Sequence, residues 1–549
     1  MNLNALLLKS GQIIILFLLI FLNYSTANSD ARQDLETLRD RCLYYAIGHA
    51  PNDSTAKTIR YGLYPQSPFS VPDTEIDIAA SGFSLATLPS AVENNLIAKN
   101  AAENIAKIAA QRVKDLVEKS AFASSQQEYE KYGFKGMLYH YYVWSENDEE
   151  FQGKNGVEVS SIDTALLMFG LLVCGNYFEG DVLKDYRDAR DLISWKEWLE
   201  TSTPDHVNQF RMSWKEGSFS EKWWDWRSEE TMLICLFAAM SDSTLDIIEL
   251  WYAWNKKLVT YISPAPDSKT FTCYATWNGD PFTVFYGAHF FKFRNDIYGL
   301  NWYSQSEIEY KGHVEFFKKE RGYLDHMTFA FSDGSEGAIA EPKCSPDIPI
   351  TRTDCPIYSL AGGLDYYSKD PNANPIANTI SSLVQKEDFF EWTGWPPESV
   401  DAKSSTHKTF NVDIIAQNIA SIAISIDNYL TGIIRNLVMQ DSDMKRVLNI
   451  IMPTTASPEC EGDLNNDGNV DELDLELSAP DFGRSDCEPG DICAGDFNAD
   501  NDVDGKDLRQ LIFEFGRTDC PLIRITDHSA RAGAPAWSPN NSKIAFRSD

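Results

Sequence analysis

The sequence predicts an all-α body, built as an α/α barrel, followed by a small calcium-folded module. Three observations predict this. Between residues 30 and 451, apolar residues recur at helical spacing over long stretches. The connections between these stretches are rich in Gly, Pro and aromatic residues, and the strand alternations and glycine-rich phosphate turns of a doubly wound sheet are missing. Near the C-terminus, a segment is written twice, 33 residues apart, with carboxylates where a Ca²⁺ loop needs oxygen ligands.

The N-terminus carries Lys9, the apolar run Ile13 to Leu22 and small residues ending at Ala27, the three parts of a secretory signal peptide over 1–27. An apolar run of that length is short of the roughly 20 residues that span a bilayer. Export follows, to the exterior, the cell surface or the periplasm, with an uncleaved anchor as the alternative. No membrane span is expected in the mature chain.

The large domain, 30–451, then reads as helices. Ile97 to Val117 sets Ile97, Ala101, Ile105, Ile108 and Val113 near one face. Ile162 to Cys174, Glu230 to Met240, Leu245 to Leu258 and Ile414 to Ile450 behave similarly. Between them lie the long connections Asn278 to Gly287 and Phe331 to Pro356. Export makes the ten cysteines potential bridge partners, with Cys344 and Cys355 a plausible loop pair; Cys174 and Cys235, inside apolar runs, read as buried thiols.

A net charge of −33 argues against a nucleic-acid partner, which requires a basic surface. The 14 tryptophans and 24 tyrosines are many for a core alone. Clusters such as Trp223, Trp224 and Trp226, or Trp392 and Trp395, offer flat faces for sugar rings. Glycoside cleavage requires two carboxyl groups across a cleft. Asp163, at the start of an apolar helix, meets the positive helix end, which suits base or binding work, although capping explains it equally well. Glu229 and Glu230 stand where a polar loop enters an apolar helix, and their mutual repulsion could raise one pKa as a general acid requires. The large domain contains no phosphate loop, Cys-x-x-Cys pair or HExxH motif.

Six segments, SGFSLATLPSAVE (81–93), KGMLYHYY (135–142), EVSSIDTALLMFGLL (158–172), SEETMLICLFAAMS (228–241), FSDGSEG (331–337) and DNYLTGIIRNLVM (427–439), resemble in order the motifs of the glucoamylase-like domain family. The resemblance implies an (α/α)6 toroid and relatives that include endo-β-1,2-glucanases. It implies Glu230 as general acid, and Tyr139, His140 and Asp333 as sugar ligands. Trp224 and Trp395 are the stacking candidates. The chain also departs from the pattern: Asn418 and Lys292 stand where the family leads one to expect aspartate, with Asp413 or Asp401 as possible substitutes.

Residues 452–458 read as a linker. In the first repeat copy, Asp463, Asn465, Asp467, Asn469, Asp471 and Asp474 take loop positions one, three, five, seven, nine and twelve of a Ca²⁺ site; in the second, Asp496, Asn498, Asp500, Asp502, Asp504 and Asp507 do so. Gly468 fills the sharp-turn position, where the second copy has Asn501. Residues 459–520 hold 19 acidic and 4 basic residues, nearly half of the charge excess. This segment resembles a dockerin, a half EF-hand written twice, which implies two Ca²⁺ ions and a cohesin-type or cell-surface partner. The flanking cysteines suggest bridges Cys460 to Cys487 and Cys493 to Cys520, one of three connectivities. Residues 521–549 look like the start of a TolB-type propeller repeat, one incomplete blade that cannot bury its apolar face alone.

Together these features lead to the expectation of a secreted glycoside hydrolase acting on a glucan, with β-1,2-glucan among the candidates, tethered by a Ca²⁺ module. The alternative from a different class is a catalytically impaired glycan-binding or surface-assembly protein, which Asn418 and Lys292 favour.

Overall fold

The computed structural model describes most of residues 30–453, the larger omissions being 49–58, 68–74, 277–280, 329–353 and 411–414; beyond 453 it describes 464, 470, 472–484, 495, 503, 536–537 and 544–545. The signal peptide, Asp333, Cys344, Trp392, Asp413, the four cysteines of the repeat and every proposed Ca²⁺ ligand except Asp474 lie outside these residues. The chain divides into two compact units, Met1–Ile297 with Asn301–Met452, and Tyr298–Leu300 with Pro453–Asp549.

In the large unit the elements run α1 (Ala31–Ala46), β1 (Glu75–Asp77), α2 (Ile78–Glu93), α3 (Lys99–Phe122), α4 (Gln126–Tyr132), β2 (Tyr141–Ser145), β3 (Glu150–Gly153), β4 (Val159–Ser160), α5 (Ser161–Phe178), α6 (Gly180–Arg190), β5 (Ser213–Lys215), β6 (Ser218–Phe219), α7 (Glu229–Ser241), α8 (Ile247–Ala253), β7 (Leu258–Ile262), β8 (Thr270–Tyr274), α9 (Trp302–Glu320), β9 (Asp354–Pro356), α10 (Ile357–Gly362), α11 (Pro375–Val384), β10 (Ser399–Asp401), β11 (Thr409–Phe410), α12 (Ala416–Leu430), α13 (Ile433–Val438) and α14 (Ser442–Ile451). Polar residues start many of these helices. Asp77, Ser160, Ser228, Asn301, Asn374 and Asp441 each accept a first-turn backbone N–H, filling donors that the helix cannot satisfy itself.

α2, α5, α7 and α12 are buried on nearly every side, the pattern of helices enclosed by others. They form a ring in which α2 packs on α5, α5 on α7, α10 on α12, and α12 back on α2. Two short 3-10 turns, Pro281–Val284 and Gly287–His289, fill the place between α7 and α12. Less apolar helices such as α1, α3 and α6 lie outside, paired with this ring. α5 is long and apolar enough to cross a membrane, but it is a buried helix of the ring.

The α2–α5 contact depends on glycine. A Cβ on Gly170 would lie 2.0 Å from the carbonyl oxygen of Gly82, and one on Gly82 would lie 2.4 Å from that of Leu166, so the two backbones touch with no room for side chains.

Some expectations need correction. The buried face of α3 is Ala102, Ala106, Ala109, Ala110, Val113, Leu116 and Val117, whereas Ala101 and Ile108 are exposed. Small alanines line the packed side of α3, and Ile108 turns outward. The stretch Leu245 to Leu258 is helical only over α8 before the β7–β8 hairpin. The stretch Ile414 to Ile450 is three helices, broken at left-handed Gly432 and before Asp441. Small antiparallel sheets, β1–β2–β3, β4–β5–β6 and β9–β10–β11, stand at the entrances of ring helices.

In the second unit, α15 (Glu472–Ser478) follows the first loop, with Asp474 and Val470 buried and Leu473, Leu475 and Leu477 exposed. Val503, at the equivalent of Val470 in the second copy, exchanges backbone hydrogen bonds of 2.8 Å with Gly483 and Arg484. Ala536–Trp537 pairs antiparallel with Ile544–Ala545.

Candidate active site

The N-terminal ends of the ring helices carry the candidate chemistry, and main-chain hydrogen bonds tie their entrances together. Ile78 N–H donates to the carbonyl of His140 at 3.2 Å, His140 N–H to that of Glu158 at 3.0 Å, and Ser161 N–H to that of Met212 at 3.2 Å. On the other side, Ile357 N–H donates to Glu398 at 3.1 Å, and Ala416 N–H to Gln66 at 2.7 Å.

His140 is the centre of an acidic cluster. Its Nδ1 lies 3.4 Å from Glu158 Oε1 and 3.7 Å from Asp163 Oδ2, and its Nε2 lies 3.9 Å from Asp77 Oδ2. Burial disfavours the imidazolium, but Asp163, Glu158 and Asp77 outweigh it and raise the pKa to about 10. The hydrogen bond from His140 holds Glu158 below the usual carboxylate range. Asp77 is pushed up to about 6, mainly by desolvation, with the His140 charge opposing. Tyr141 stacks on the imidazole with ring centroids 4.1 Å apart.

Glu230 stands at the first turn of α7 and remains partly accessible. Desolvation raises its pKa to about 8 and the Asp163 charge adds to the effect, so its carboxyl holds a proton at neutral pH. Glu229 is different. It is 0 % exposed, accepts from Ser306 Oγ at 2.7 Å, and is packed at the close approach of Gly287. Burial raises it to about 8 as well. Beside it, Arg227 pairs with Glu309 and bonds Ser306, a sealed cluster between α7 and α9. Adjacent helical residues point about 100° apart, and that rotation gives Glu229 to the interior and Glu230 to the accessible side.

Other sequence candidates fall in several places. Trp224 is partly exposed, and its indole N–H donates to Ser161 Oγ at 2.9 Å. Tyr139 is buried, with its hydroxyl on the Tyr129 carbonyl at 3.2 Å and its ring against Gly153, so it props the β2–β3 hairpin and is not open to a ligand. Trp395 is 1 % exposed and packed on Tyr45, a core residue and not a stacking platform. Trp223 lies flat against His206, with centroids 3.8 Å apart, and the Arg211 guanidinium lies 4.6 Å from its centroid.

The two departures also separate. Lys292 lies 3.4 Å from Asp365, which also pairs with Arg435 and Lys369. Asp365 follows the C-terminal end of α10 and Arg435 that of α12, so this ion cluster sits at the end of those helices opposite Asn418. Asn418, in the first turn of α12, accepts from Tyr286 OH at 3.3 Å and donates through its side-chain amide to Glu398. Asp401 is occupied capping a turn, accepting from Lys403 N–H at 2.9 Å.

Sequence reasoning missed Asp77, Glu158, Tyr286 and Glu398. Asp77 carried a legible signal, an acidic residue directly before an apolar helix, the same pattern that singled out Asp163. Glu398, in a Pro-rich connection, carried none.

No family model matches the chain, and no curated protein matches it. Among solved structures, a glucoamylase candidate from Bacteroides caccae superposes with a TM-score of 0.55 at 14% identity, over 76% of this chain and 98% of that one. The chain shares that fold. An endo-β-1,2-glucanase from Chitinophaga pinensis, solved with sophorotriose and glucose, gives 0.54 at 12% identity over 77% of this chain and 98% of that one. One from Talaromyces funiculosus, solved with sophorose, gives 0.52 at 10% over 76% and 87%. At these identities the likeness establishes the architecture, a helical toroid, and the chemistry is argued from the residues above.

Proposed function

We propose that the large unit is a glycoside hydrolase acting on a glucan, with β-1,2-glucan the first substrate to test, and that Glu230 is its general acid. One observation carries this reading. Glu230 is a partly accessible carboxyl in the first turn of ring helix α7, whose pKa burial and then the Asp163 charge raise to about 8. A carboxylic acid in that state can protonate a departing glycosidic oxygen at neutral pH, which an ordinary surface glutamate cannot.

The surrounding residues then have defined parts. Asp163 sustains the proton on Glu230 by its charge, and is itself anchored by His140. His140, charged and flanked by Tyr141, presents a donor to sugar hydroxyls. Trp224 offers a partly open aromatic face beside Ser161. The fold it shares with endo-β-1,2-glucanases solved with sophorotriose and glucose or with sophorose supports the substrate class.

The exported location, a Ca²⁺-folded module over 459–520 and a cohesin-type or surface partner belong to the same proposal. They are supported by the N-terminal sequence pattern and by the in-register acidic repeat. The test is reducing-sugar release from a panel of α- and β-glucans by the wild type and by Glu230→Gln. Release that Glu230→Gln abolishes supports the hydrolase; retention of a glucan without release by either supports the glycan-binding alternative.

A further inference from the structure

The hydrolase reading leaves one chemical place open. Cleavage needs a second carboxylate facing the first across the sugar, and the acids already described have other parts. Asp163 is held against His140, and Asp77 caps α2 through Ala80 N–H at 2.9 Å while also facing His140. Glu229 is sealed from solvent and Asp401 caps its own turn.

Another glutamate stands at the start of α12. Glu398 ends the Pro-rich connection before β10, and its own carbonyl anchors the first N–H of α10. Its side chain reaches the first turn of α12. Oε2 accepts from Ile415 N–H at 3.3 Å, and Oε1 accepts from the Asn418 side-chain amide. Asn418 in turn accepts from Tyr286, whose ring packs 5.2 Å from Phe83 of α2 and 6.2 Å from Tyr358 of α10. Tyr286 therefore stands between the α2 side of the ring and the Glu398–Asn418 pair. The next residue, Gly287, packs directly on the Glu229 backbone at the start of α7, so Tyr286 also stands beside the turn that carries Glu230; burial first, and then the charges of Glu230, Glu398 and Asp77, raise its hydroxyl. Glu398 keeps 9 % of its surface exposed, whereas Glu229 keeps none.

We propose that Glu398 is the second carboxylate of the reaction, the base that activates the attacking water, and that Asn418 and Tyr286 are the residues that position it. This rests on the hydrolase reading. The water oxygen bonds to the anomeric carbon as the bond from that carbon to the bridging oxygen breaks. Glu398 takes the proton lost by the water, and Glu230 gives its proton to the leaving oxygen. The two glutamates finish with exchanged protonation states and recover through solvent, so no other reactant is needed. The carboxylate that a glucan-cleaving ring requires is thus supplied by the β10 connection, with Asn418 at the start of α12 serving as its clamp.

The test uses the full-length protein on the glucan that the wild type cleaves. Glu398→Gln and Glu398→Ala are expected to lower kcat by roughly 10²–10⁴-fold with KM little changed, the span of one acid–base group. Sodium azide is expected to restore turnover to Glu398→Ala with formation of a glycosyl azide, because azide attacks without a base. Adding Asn418→Asp to Glu398→Ala, which returns a carboxylate to the same wall, is expected to recover part of kcat; a merely structural Glu398 would give neither recovery. The proposal is overturned if Glu398→Gln keeps more than a tenth of wild-type kcat, or if azide and Asn418→Asp both fail on a folded Glu398→Ala. Activity in Asn418→Asp alone, with an inactive wild type, would overturn Glu398 as base and leave the hydrolase ring standing. Inactivity of both would remove the hydrolase reading itself, and this proposal with it.

Discussion

Asp163 Oδ2 lies 3.7 Å from His140 Nδ1, and through that contact one imidazole joins the first turn of α5 to the N-cap residue of α2. The same aspartate raises the pKa of Glu230 in the first turn of α7. Three ring helices are thereby coupled through one charge.

The first prediction concerns the pH profile. The Glu230 proton is needed in the reaction and is lost as pH rises through about 8. The kcat/KM of the wild type is therefore expected to fall on the alkaline side with a midpoint near 8, and Asp163→Asn to move that midpoint downward. Initial rates between pH 5 and 10 check both, and an unchanged midpoint in Asp163→Asn would contradict the coupling.

Neighbouring glutamates should behave oppositely. Glu230→Gln is expected to lower kcat by roughly 10²–10⁴-fold at little cost in stability. Glu229→Gln is expected to leave kcat near the wild-type value and to change the unfolding midpoint. The folded-state pKa of Glu229, about 8, exceeds its ordinary 4.5, so its contribution is fully present below 4.5 and lost as pH rises through 8. The glutamine variant should therefore gain in Tm relative to wild type between pH 5 and 9, measured by thermal unfolding.

His140 provides a second stability test. Its folded pKa of about 10 lies above the ordinary 6.5, so its stabilising contribution is complete below 6.5 and disappears as pH rises through 10. The Tm deficit of His140→Gln should be largest near pH 6 and vanish above 10. A deficit independent of pH would mean that packing, and not charge, is the role of His140.

The α2–α5 contact should be intolerant of a methyl group. Gly170→Ala forces a Cβ onto the Gly82 carbonyl, and overpacking of a rigid core costs about 1–3 kcal/mol or more. Urea unfolding should show that loss, while Gly156→Ala, where nothing lies within 4 Å, gives a loss set by its left-handed φ of 77° alone.

Calcium removal should act on the second unit alone. With EDTA, the repeat segment is expected to lose protection in hydrogen exchange, while glucan cleavage by the ring persists. Calorimetric titration of the stripped protein should return two Ca²⁺ per chain, and Asp474→Ala should lower that number.

Much of the helical body was legible because buried helices advertise themselves. The run from Ser161 to Cys174 is apolar on nearly every side, the pattern of a helix surrounded by apolar neighbours. The start of α7 was legible for the same reason, since Ser228 and two acids precede an apolar run. The orientation of α3 was not, because alanine and isoleucine weigh alike in a periodicity while close helix packing selects the smaller residue. Tyr139 and Trp395 misled because an aromatic side chain suits a core as well as a sugar, and local sequence does not say which.

The sequence by itself determined the helical class, the acidic repeat with its oxygen-rich loops, and the carboxyl groups that open α5 and α7. These are local properties, set by spacing, capping and composition. Only the tertiary structure decided that Glu230 faces the accessible end while Glu229 is sealed against Ser306, and that Asp77, Glu158 and Asp163 converge on one imidazole. It alone brought Glu398 to Asn418 from 20 residues away. Burial and through-space charge fix the protonation of such groups, and both depend on segments distant in the chain closing into one ring.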